Sequence, residues 1–299
     1  MAVRCAVSTY SLARWRHEGG RTLADALRWI ADEGVDGVEF AGLDDAPLGA
    51  RVARAEALKT LCDKLSLSVA GCCVGAELLT EPAAQTATVA LLREWVDTTA
   101  ALGTTHMRHD VTAGPSPTDS TTTMWEHVLG VVVPPIRTVA DYAASHGVRT
   151  SVENHGFYLQ TADRIEGLVR AVDHPNFAVT LDMGNFLCLD QDPVAAVQRL
   201  APLATIVHAK DFHVRQGDRR TFGAATDAAA SWFATPVGID LQGAILGHGR
   251  IDVPAQLAAL RASGYSGWIS LEFEGVEEPT LGIRRGLQYL KEQLAIAGL

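Results

Sequence analysis

The chain has 299 residues, 47% of them hydrophobic and 20% charged, which is enough to bury a sizeable core. A net charge of -10 excludes nucleic acid and anionic membrane as main partners, because both bind basic surfaces. Five cysteines without a C-x-x-C pair, no secretion signal and no apolar run of about 18 residues indicate a cytoplasmic protein with reduced thiols.

Eight strands are predicted from short runs of apolar and β-branched residues. In chain order they cover residues 4–9, 37–40, 67–73, 105–110, 149–154, 177–182, 204–210 and 268–273. A stretch with helical spacing follows each run, which is typical of parallel strands joined by helices.

Eight helices are predicted from this spacing. They cover residues 22–33, 50–65, 84–102, 123–146, 161–173, 193–200, 253–264 and 279–297. Start and stop signals support several of them: Asp192 precedes a proline at the sixth helix, Asp252 opens the seventh, and Gly147 follows the fourth.

Eight strand–helix units without a break in composition predict one (β/α)8 TIM barrel over residues 1–299. A doubly wound open sheet is the alternative. It would usually carry a glycine-rich phosphate loop after its first strand, and VSTYSLARW contains none.

The segment 212–250 is too long for an ordinary connection. Because it follows the seventh strand, it is a candidate lid, with Trp232 and Phe233 as closing surfaces. A surface insertion or a contact between subunits of a homo-oligomer is the other interpretation.

Four successive strands end in groups that can bind a divalent metal ion. They are Glu153, Asp182, His208 and Glu272. A single carboxylate after a strand is usually a helix cap or part of a surface ion pair, but the strand ends of a barrel converge on one face. Three carboxylates and one imidazole suit Mn²⁺ first, with Mg²⁺, Co²⁺ or Zn²⁺ as alternatives.

Alternation along the strands adds residues to the same face. Lys210 lies on the side of His208, and His155 lies on the side of Glu153. Lys210 is a candidate for holding a substrate oxygen or for a structural pair with Asp211 or another acidic neighbour. His155 is a candidate for acid/base chemistry, hydroxyl binding or capping of the next turn.

The fourth and first strands contribute further candidates for substrate binding. Arg108 is a candidate for holding a carboxylate or phosphate, and His109 for acid/base chemistry, with a strand-end salt bridge as the alternative for each. Tyr10 and Trp15 are candidate walls for a sugar ring, with core packing as the alternative.

The motifs STYSLARW, GVDGVEF, ENHG, LDMGNF, HAKDF and SLEFEG extend over nearly the whole chain. In these motifs the chain resembles the sugar phosphate isomerase/epimerase superfamily of xylose isomerase-like TIM barrels (AP endonuclease family 2). The resemblance implies that one divalent cation is bound by Glu153, Asp182, His208 and Glu272. It also implies a sugar or keto-sugar substrate.

The family's ketose epimerases suggest a division of roles among these residues. There, the first and last glutamates also move the proton on the two faces of an enediolate, which makes Glu153 and Glu272 the catalytic pair here. Those enzymes place a histidine three residues after the ligand aspartate, whereas this chain has Asn185, suited to binding a hydroxyl. His155 resembles a histidine that contacts substrate in the dehydratase branch.

The reaction expected from this resemblance is isomerisation or epimerisation by proton abstraction next to a carbonyl. Elimination by a dehydratase or lyase, from a keto-sugar, cyclitol or C-glycoside, is the alternative on the same metal site. A noncatalytic subunit with a small partner, or an endonuclease IV-like DNA repair enzyme, is a remoter alternative, and the acidic charge disfavours the latter.

Overall fold

The computed structural model describes residues 3–43, 47, 49–114, 122–217, 225–227 and 232–299. Eight parallel strands close into a barrel in the order β1-β12-β7-β6-β5-β4-β3-β2. They are β1 (Arg4–Ser8), β2 (Gly37–Ala41), β3 (Ser68–Val74), β4 (His106–His109), β5 (Arg149–Glu153), β6 (Phe177–Asp182), β7 (Ala204–Ala209) and β12 (Trp268–Leu271). The TIM barrel predicted from the sequence is confirmed.

Helices surround this barrel. They are α1 (Ala13–Glu18), α2 (Leu23–Asp32), α3 (Arg51–Lys64), α4 (Pro82–Ala101), α5 (Thr122–Ser145), α6 (Ala162–Val172), α7 (Pro193–Leu200), α8 (Val253–Ala262) and α9 (Pro279–Ala297). The short α1 was not predicted from the sequence. It follows a 3-10 turn at Thr9–Leu12 and contains no buried residue, so its sequence lacks a clear apolar stripe.

Side chains that accept backbone hydrogen bonds fix the starts of two helices. Asp192 accepts from the amides of Val194 and Ala195 at α7, and Asp252 accepts from Ala255 at α8. These bonds satisfy amides that have no partner within the helix. The helix starts predicted at these two positions are confirmed.

The inside of the barrel is apolar towards the starts of the strands and polar towards their ends. Trp268 packs with Ile206 in a small buried cluster that also contains Ala6 and Ala70. Since alternate residues of a strand face the same side, Trp268 lies on the side of Glu272 and Ile206 on the side of His208. The polar groups at the strand ends therefore stand on an apolar floor that excludes water from below.

The described parts of the long segment 212–250 contain strands that were not predicted from the sequence. They form an antiparallel sheet in the order β8-β11-β10-β9, made of β8 (Asp211–Gln216), β9 (Ala225–Asp227), β10 (Trp232–Ala234) and β11 (Ile239–Ala244). Phe212 and Leu241 pack with Cys188 beneath it, and the rings of Phe212 and Phe233 lie 6.0 Å apart. Residues 218–224 and 228–231 lie outside the described residues. The lid and subunit-contact interpretations stay predictions.

Two features of the described residues bear on the predictions about membrane spans and cysteines. Among them no helix has the length and apolar character that crossing a bilayer requires. All five cysteines fall in described ranges, and all are free thiols. The prediction of reduced cysteines is consistent with this arrangement.

Candidate metal centre

The four predicted ligands converge at the C-terminal ends of neighbouring strands. Glu153 and Asp182 are the last residues of β5 and β6, His208 is the penultimate residue of β7, and Glu272 directly follows β12. One donor atom from each residue lies within 4.8 Å of those of the others. The barrel geometry thus brings together residues that are up to 119 positions apart in the chain.

His208 lies at the centre of this group. Its Nδ1 is 3.2 Å from Glu153 Oε1 and 3.6 Å from Glu272 Oε1, and its Nε2 is 3.0 Å from Glu39 Oε2. Burial opposes protonation of the ring, but Glu39 and Glu272 outweigh it and raise the pKa of His208 well above its usual value. The imidazole is therefore surrounded by carboxylates on both of its nitrogens.

The two carboxylate oxygens of Asp182 differ in their hydrogen bonds. Its Oδ1 accepts from the amides of Gly184 at 2.7 Å and Asn185 at 2.8 Å. Its Oδ2 is buried without a hydrogen-bond donor, and the nearest cation, Lys210 Nζ, is 3.5 Å away. Burial, with the charge of Glu153 adding to it, raises the pKa of Asp182 to about 6.

This donor set fits a divalent cation. A buried carboxylate oxygen without a donor is costly unless a cation completes its surroundings, and Asp182 Oδ2 is such an atom. Three carboxylates and one imidazole are ligands for a hard or borderline ion rather than a soft one. Glu153, Asp182, His208 and Glu272 are therefore the residues that would hold it.

Lys210 is the cation that balances these carboxylates. It is 5% exposed, and its Nζ lies 3.0 Å from Glu272 Oε2 and 3.4 Å from Glu274 Oε2. Burial would lower the pKa of its ammonium, but Glu272 and Glu274 raise it well above the usual value. The structural pair predicted for Lys210 is with acidic neighbours and not with Asp211, whose carboxylate accepts from backbone amides instead.

Glu153 is held from the side opposite His208 by Arg108. The Nε of Arg108 lies 2.7 Å from Glu153 Oε2, and its terminal nitrogen lies 2.8 Å from Asp110. Asn185 Nδ2 donates to Glu153 Oε1 at 3.3 Å. Burial opposes ionisation, but Arg108 and then His208 lower the pKa of Glu153 well below its usual value. For Glu272, Lys210 likewise outweighs burial and lowers the carboxyl pKa.

A cavity of about 490 Å³ opens above the cluster. Its walls include Tyr10, Cys73, Trp95, Arg108, Glu153, His155, His208, Lys210, Glu272 and Glu274. This volume is in the range of small-molecule sites, which are about 300–1,000 Å³. Tyr10, a candidate wall residue from the sequence, therefore lines the cavity. Trp95 and Cys73 also line it and were not predicted from the sequence.

His155 lies at the rim of this cavity. Its Nδ1 is 3.3 Å from Asp110 Oδ1, and about half of its side chain is exposed. The hydrogen bond to Asp110 raises the pKa of His155 above its usual value. A group that can carry a proton thus faces the cavity at the edge of the cluster.

Three predicted substrate-binding residues do not belong to the cavity wall. His109 is fully buried, with Nδ1 2.8 Å from the backbone oxygen of Asp110 and its ring 6.1 Å from that of Phe177. Because neighbours on a strand face opposite sides, the inward position of Arg108 turns His109 outward. Trp15 packs against Trp29 on the outside, with ring centroids 6.4 Å apart. Asn185 does not line the cavity either, and it contacts Glu153 instead.

Glu39 is a site residue that sequence reasoning missed. It is 0% exposed on β2 and lies at hydrogen-bond distance from His208 Nε2, and its Oε1 accepts from Cys73 Sγ at 3.4 Å. The signal was a carboxylate between Val38 and Phe40 in an apolar run. Such a residue in a buried strand requires a partner.

A closed parallel barrel with a buried cluster of carboxylates and an imidazole at its strand ends defines a TIM-barrel protein with a candidate metal centre. Residues 27–293 match the model of the xylose isomerase-like TIM barrel family, and the chain belongs to this family. No curated protein matches it in sequence.

Solved structures share this fold at low sequence identity. The IOLI protein with a bound zinc atom is 15% identical over 99% of this chain and 98% of its own, with a TM-score of 0.73. The probable 3-DHS dehydratase AsbF from Bacillus anthracis is 18% identical over 97% and 99%, with a TM-score of 0.71. A D-allulose 3-epimerase from Methylomonas sp. is 19% identical over 98% and 100%, with a TM-score of 0.70. These likenesses establish the fold.

Proposed function

We propose that the protein is a divalent-metal-dependent enzyme that abstracts a proton next to the carbonyl of a sugar or keto-sugar. The reaction we favour is isomerisation or epimerisation through an enediolate. One observation carries this proposal: Glu153 and Glu272 both line the cavity, and both lie against Nδ1 of His208. Two carboxylates are thus available beside the same nitrogen of one imidazole.

The cofactor we propose is one ion held by Glu153, Asp182, His208 and Glu272, with Mn²⁺ first among the candidates. When bound, such an ion polarises a carbonyl and acidifies the neighbouring C–H bond. The zinc atom of the IOLI structure and the epimerase and dehydratase names of the other two neighbours support this chemistry for a chain of the same fold.

The protein's own groups supply the proton transfers. A general base must be ionised before it acts, and the lowered pKa values of Glu153 and Glu272 keep both carboxylates ionised near neutrality. Lys210 faces the cavity as a cation and is suited to hold a developing negative charge on a substrate oxygen. Arg108 holds Glu153 in place, so that carboxylate needs little reorganisation.

Elimination by a dehydratase or lyase is the second candidate, and His155 is the observation that favours it. Loss of a hydroxyl or an aglycone requires a proton donor near the leaving group. His155 lines the cavity, and its pKa is raised by Asp110, so it can carry that proton. The Asn185 amide does not ionise near neutrality, so it cannot act as an acid or base, and it does not line the cavity.

Incubation with ketoses and 3-keto-glycosides in D₂O tests the proposal. The Mn²⁺-loaded protein should exchange the proton next to the carbonyl for deuterium in at least one substrate, and the products separate isomerisation from elimination. Glu272→Gln should lose the exchange, whereas Glu33→Gln, on the surface beside Arg284, should keep it. Absence of deuterium uptake and of any elimination product from the whole panel would contradict the proposal and favour a noncatalytic role.

A further inference from the structure

Carboxylates lie next to both ring nitrogens of His208, and those next to only one of the nitrogens are candidate metal ligands. Glu153 and Glu272 face Nδ1, whereas Glu39 faces Nε2 at 3.0 Å and 3.1 Å through its two oxygens. The side chains of His208 and Glu39 are 1% and 0% exposed. Water therefore does not compete for the bond between them.

The position of Glu39 across the barrel makes this contact specific. Glu39 is on β2 and His208 on β7, and these strands are separated by β1 and β12 in the barrel order. The bond thus crosses the barrel interior. A further bond, from Cys73 Sγ to Glu39 Oε1, holds the carboxylate from β3. Oε1 of Glu39 therefore accepts from Cys73 Sγ and lies 3.1 Å from His208 Nε2, which fixes the carboxylate before any ligand arrives.

An imidazole that binds a metal through one nitrogen keeps a proton on the other. Carboxylates lie at both nitrogens of His208, and an ionised carboxylate can only accept. An ion bound at Nδ1 would therefore replace the proton on that nitrogen, while Glu39 keeps the proton on Nε2. The Nδ1 lone pair then faces Glu153 and Glu272, where the other candidate ligands lie. The carboxylate also fixes the rotation of the ring.

We propose that Glu39 is a positioning residue of the metal centre: its carboxylate accepts the Nε2 proton of His208 and presents Nδ1 to the metal. This inference rests on the proposed metal site. A competing arrangement uses the same residues differently, since donor atoms of Glu39, Cys73 and His208 also lie within 4.8 Å of one another. There, Glu39 would be a ligand of a second ion.

Titration with Co²⁺ alone separates these arrangements. The wild-type protein should bind one Co²⁺ per chain. Glu39→Ala should weaken Co²⁺ binding about 10–100-fold and change the visible absorption of the bound ion. Glu39→Gln should recover much of the affinity, because the amide oxygen still accepts the Nε2 proton.

A matched control removes a different buried hydrogen bond from the barrel interior. Thr180, also 0% exposed, lies 2.8 Å from the hydroxyl of Ser151. Thr180→Val should lower the melting temperature without changing the Co²⁺ affinity or the absorption spectrum. An equal loss of affinity in Thr180→Val and Glu39→Ala would overturn the proposal, because it would indicate a general effect of destabilisation.

Other results would overturn it in distinguishable ways. Wild-type affinity in Glu39→Ala would refute the positioning role alone. Two Co²⁺ per wild-type chain and one in Glu39→Ala would make Glu39 a ligand of a second ion. No binding by the wild-type protein would refute this inference and the proposed function together.

Nitrogen-15 NMR of the Zn²⁺-loaded wild-type protein tests the same point without any variant. We expect His208 to keep its proton on Nε2 and to bind the ion through Nδ1. The opposite tautomer would overturn the proposal, even if Glu39→Ala fails to fold.

Discussion

Lys210 Nζ lies 3.0 Å from Glu272 Oε2 at the bottom of the cavity, where the lysine side chain is 6% exposed and the glutamate side chain 11%. The same ammonium is 3.5 Å from Asp182 and 3.4 Å from Glu274. Lys210 therefore balances three carboxylates that would otherwise repel one another. A bound cation would take over part of this task, which links the stability of the protein to metal binding.

The first prediction concerns the loss of this ammonium. Lys210→Met should lower the free energy of unfolding of the metal-free protein by about 3–5 kcal/mol, because it leaves buried carboxylates without a counter-charge. Saturating Mn²⁺ should recover part of the loss. Urea unfolding with chelator and with Mn²⁺ measures both quantities.

Lys59 offers a matched control on the surface. Its ammonium pairs with Asp63 on α3, and both side chains are substantially exposed. Lys59→Met should cost less than about 1 kcal/mol and should not depend on Mn²⁺. An equal cost for the two lysine variants would show that Lys210 does not balance the site.

The barrel and the candidate ligand set could be predicted from the sequence because both depend on local patterns. Strands buried on both faces give short apolar runs, and the spacing of the helices between them is regular. A carboxylate at the end of such a run, as at Glu153 and Asp182, is conspicuous because burying a charge is costly unless it has a partner. Once the strands were assigned, the four candidate ligands could be placed at neighbouring strand ends.

The rest depends on contacts that a local pattern does not contain. Glu39 and His208 are 169 positions apart, and only closure of the barrel brings them together. A shift of one residue along β4 exchanges the side chains that face the barrel interior with those that face outward. The sequence therefore could not decide which of Arg108 and His109 faces inward. The strands near Phe233 are only three residues long, which is too short for a periodic signal.

The second prediction is that metal affinity falls in acid. The pKa of Asp182 is raised to about 6, so this carboxyl begins to hold a proton just below neutrality. A metal must then displace that proton as well as the one on His208, whose pKa is also raised, so its affinity should fall at least about tenfold per pH unit below the pKa of Asp182. Calorimetric titration with Mn²⁺ at about pH 7.5 and about pH 5 measures the change. Equal affinities at both values would show that Asp182 is not a ligand.

The third prediction concerns the two carboxylates that are proposed to move the proton. Glu153→Gln and Glu272→Gln should each lower kcat at least about 10²-fold while keeping the fold, because the strand ends form the catalytic rather than the stabilising face. Circular dichroism and metal content should accompany the rates. Near-wild-type turnover in either variant would show that the corresponding carboxylate is not an acid or base.

The fourth prediction separates elimination from isomerisation. If His155 protonates a leaving group, His155→Asn should lower elimination about 10²–10⁴-fold and leave deuterium exchange next to the carbonyl in place. His146→Asn, a surface change beside Asp97, is the control and should alter neither. Wild-type elimination in His155→Asn would assign the proton donor to another group.

The fifth prediction concerns Asp211, which ties the segment after β11 to the end of β7. Its carboxylate is 1% exposed and accepts from the amides of Phe212, Gly247, Gly249 and Ile251. A Cβ at position 249 would lie 2.1 Å from the Asp211 Oδ1, so glycine is required for this approach. The carboxylate therefore satisfies four backbone amides at once, two of which belong to the buried residues Phe212 and Ile251.

Asp211→Ala should lower the free energy of unfolding by about 3 kcal/mol or more, since buried amides lose a charged acceptor. Asp252→Ala removes only the cap of α8, where one bond of 3.0 Å reaches Ala255, and should cost about 1 kcal/mol. Hydrogen exchange should show that the amides of Gly247, Gly249 and Ile251 lose protection only in the first variant. If Asp211→Ala costs no more than Asp252→Ala, the loop is held by its packing rather than by this carboxylate.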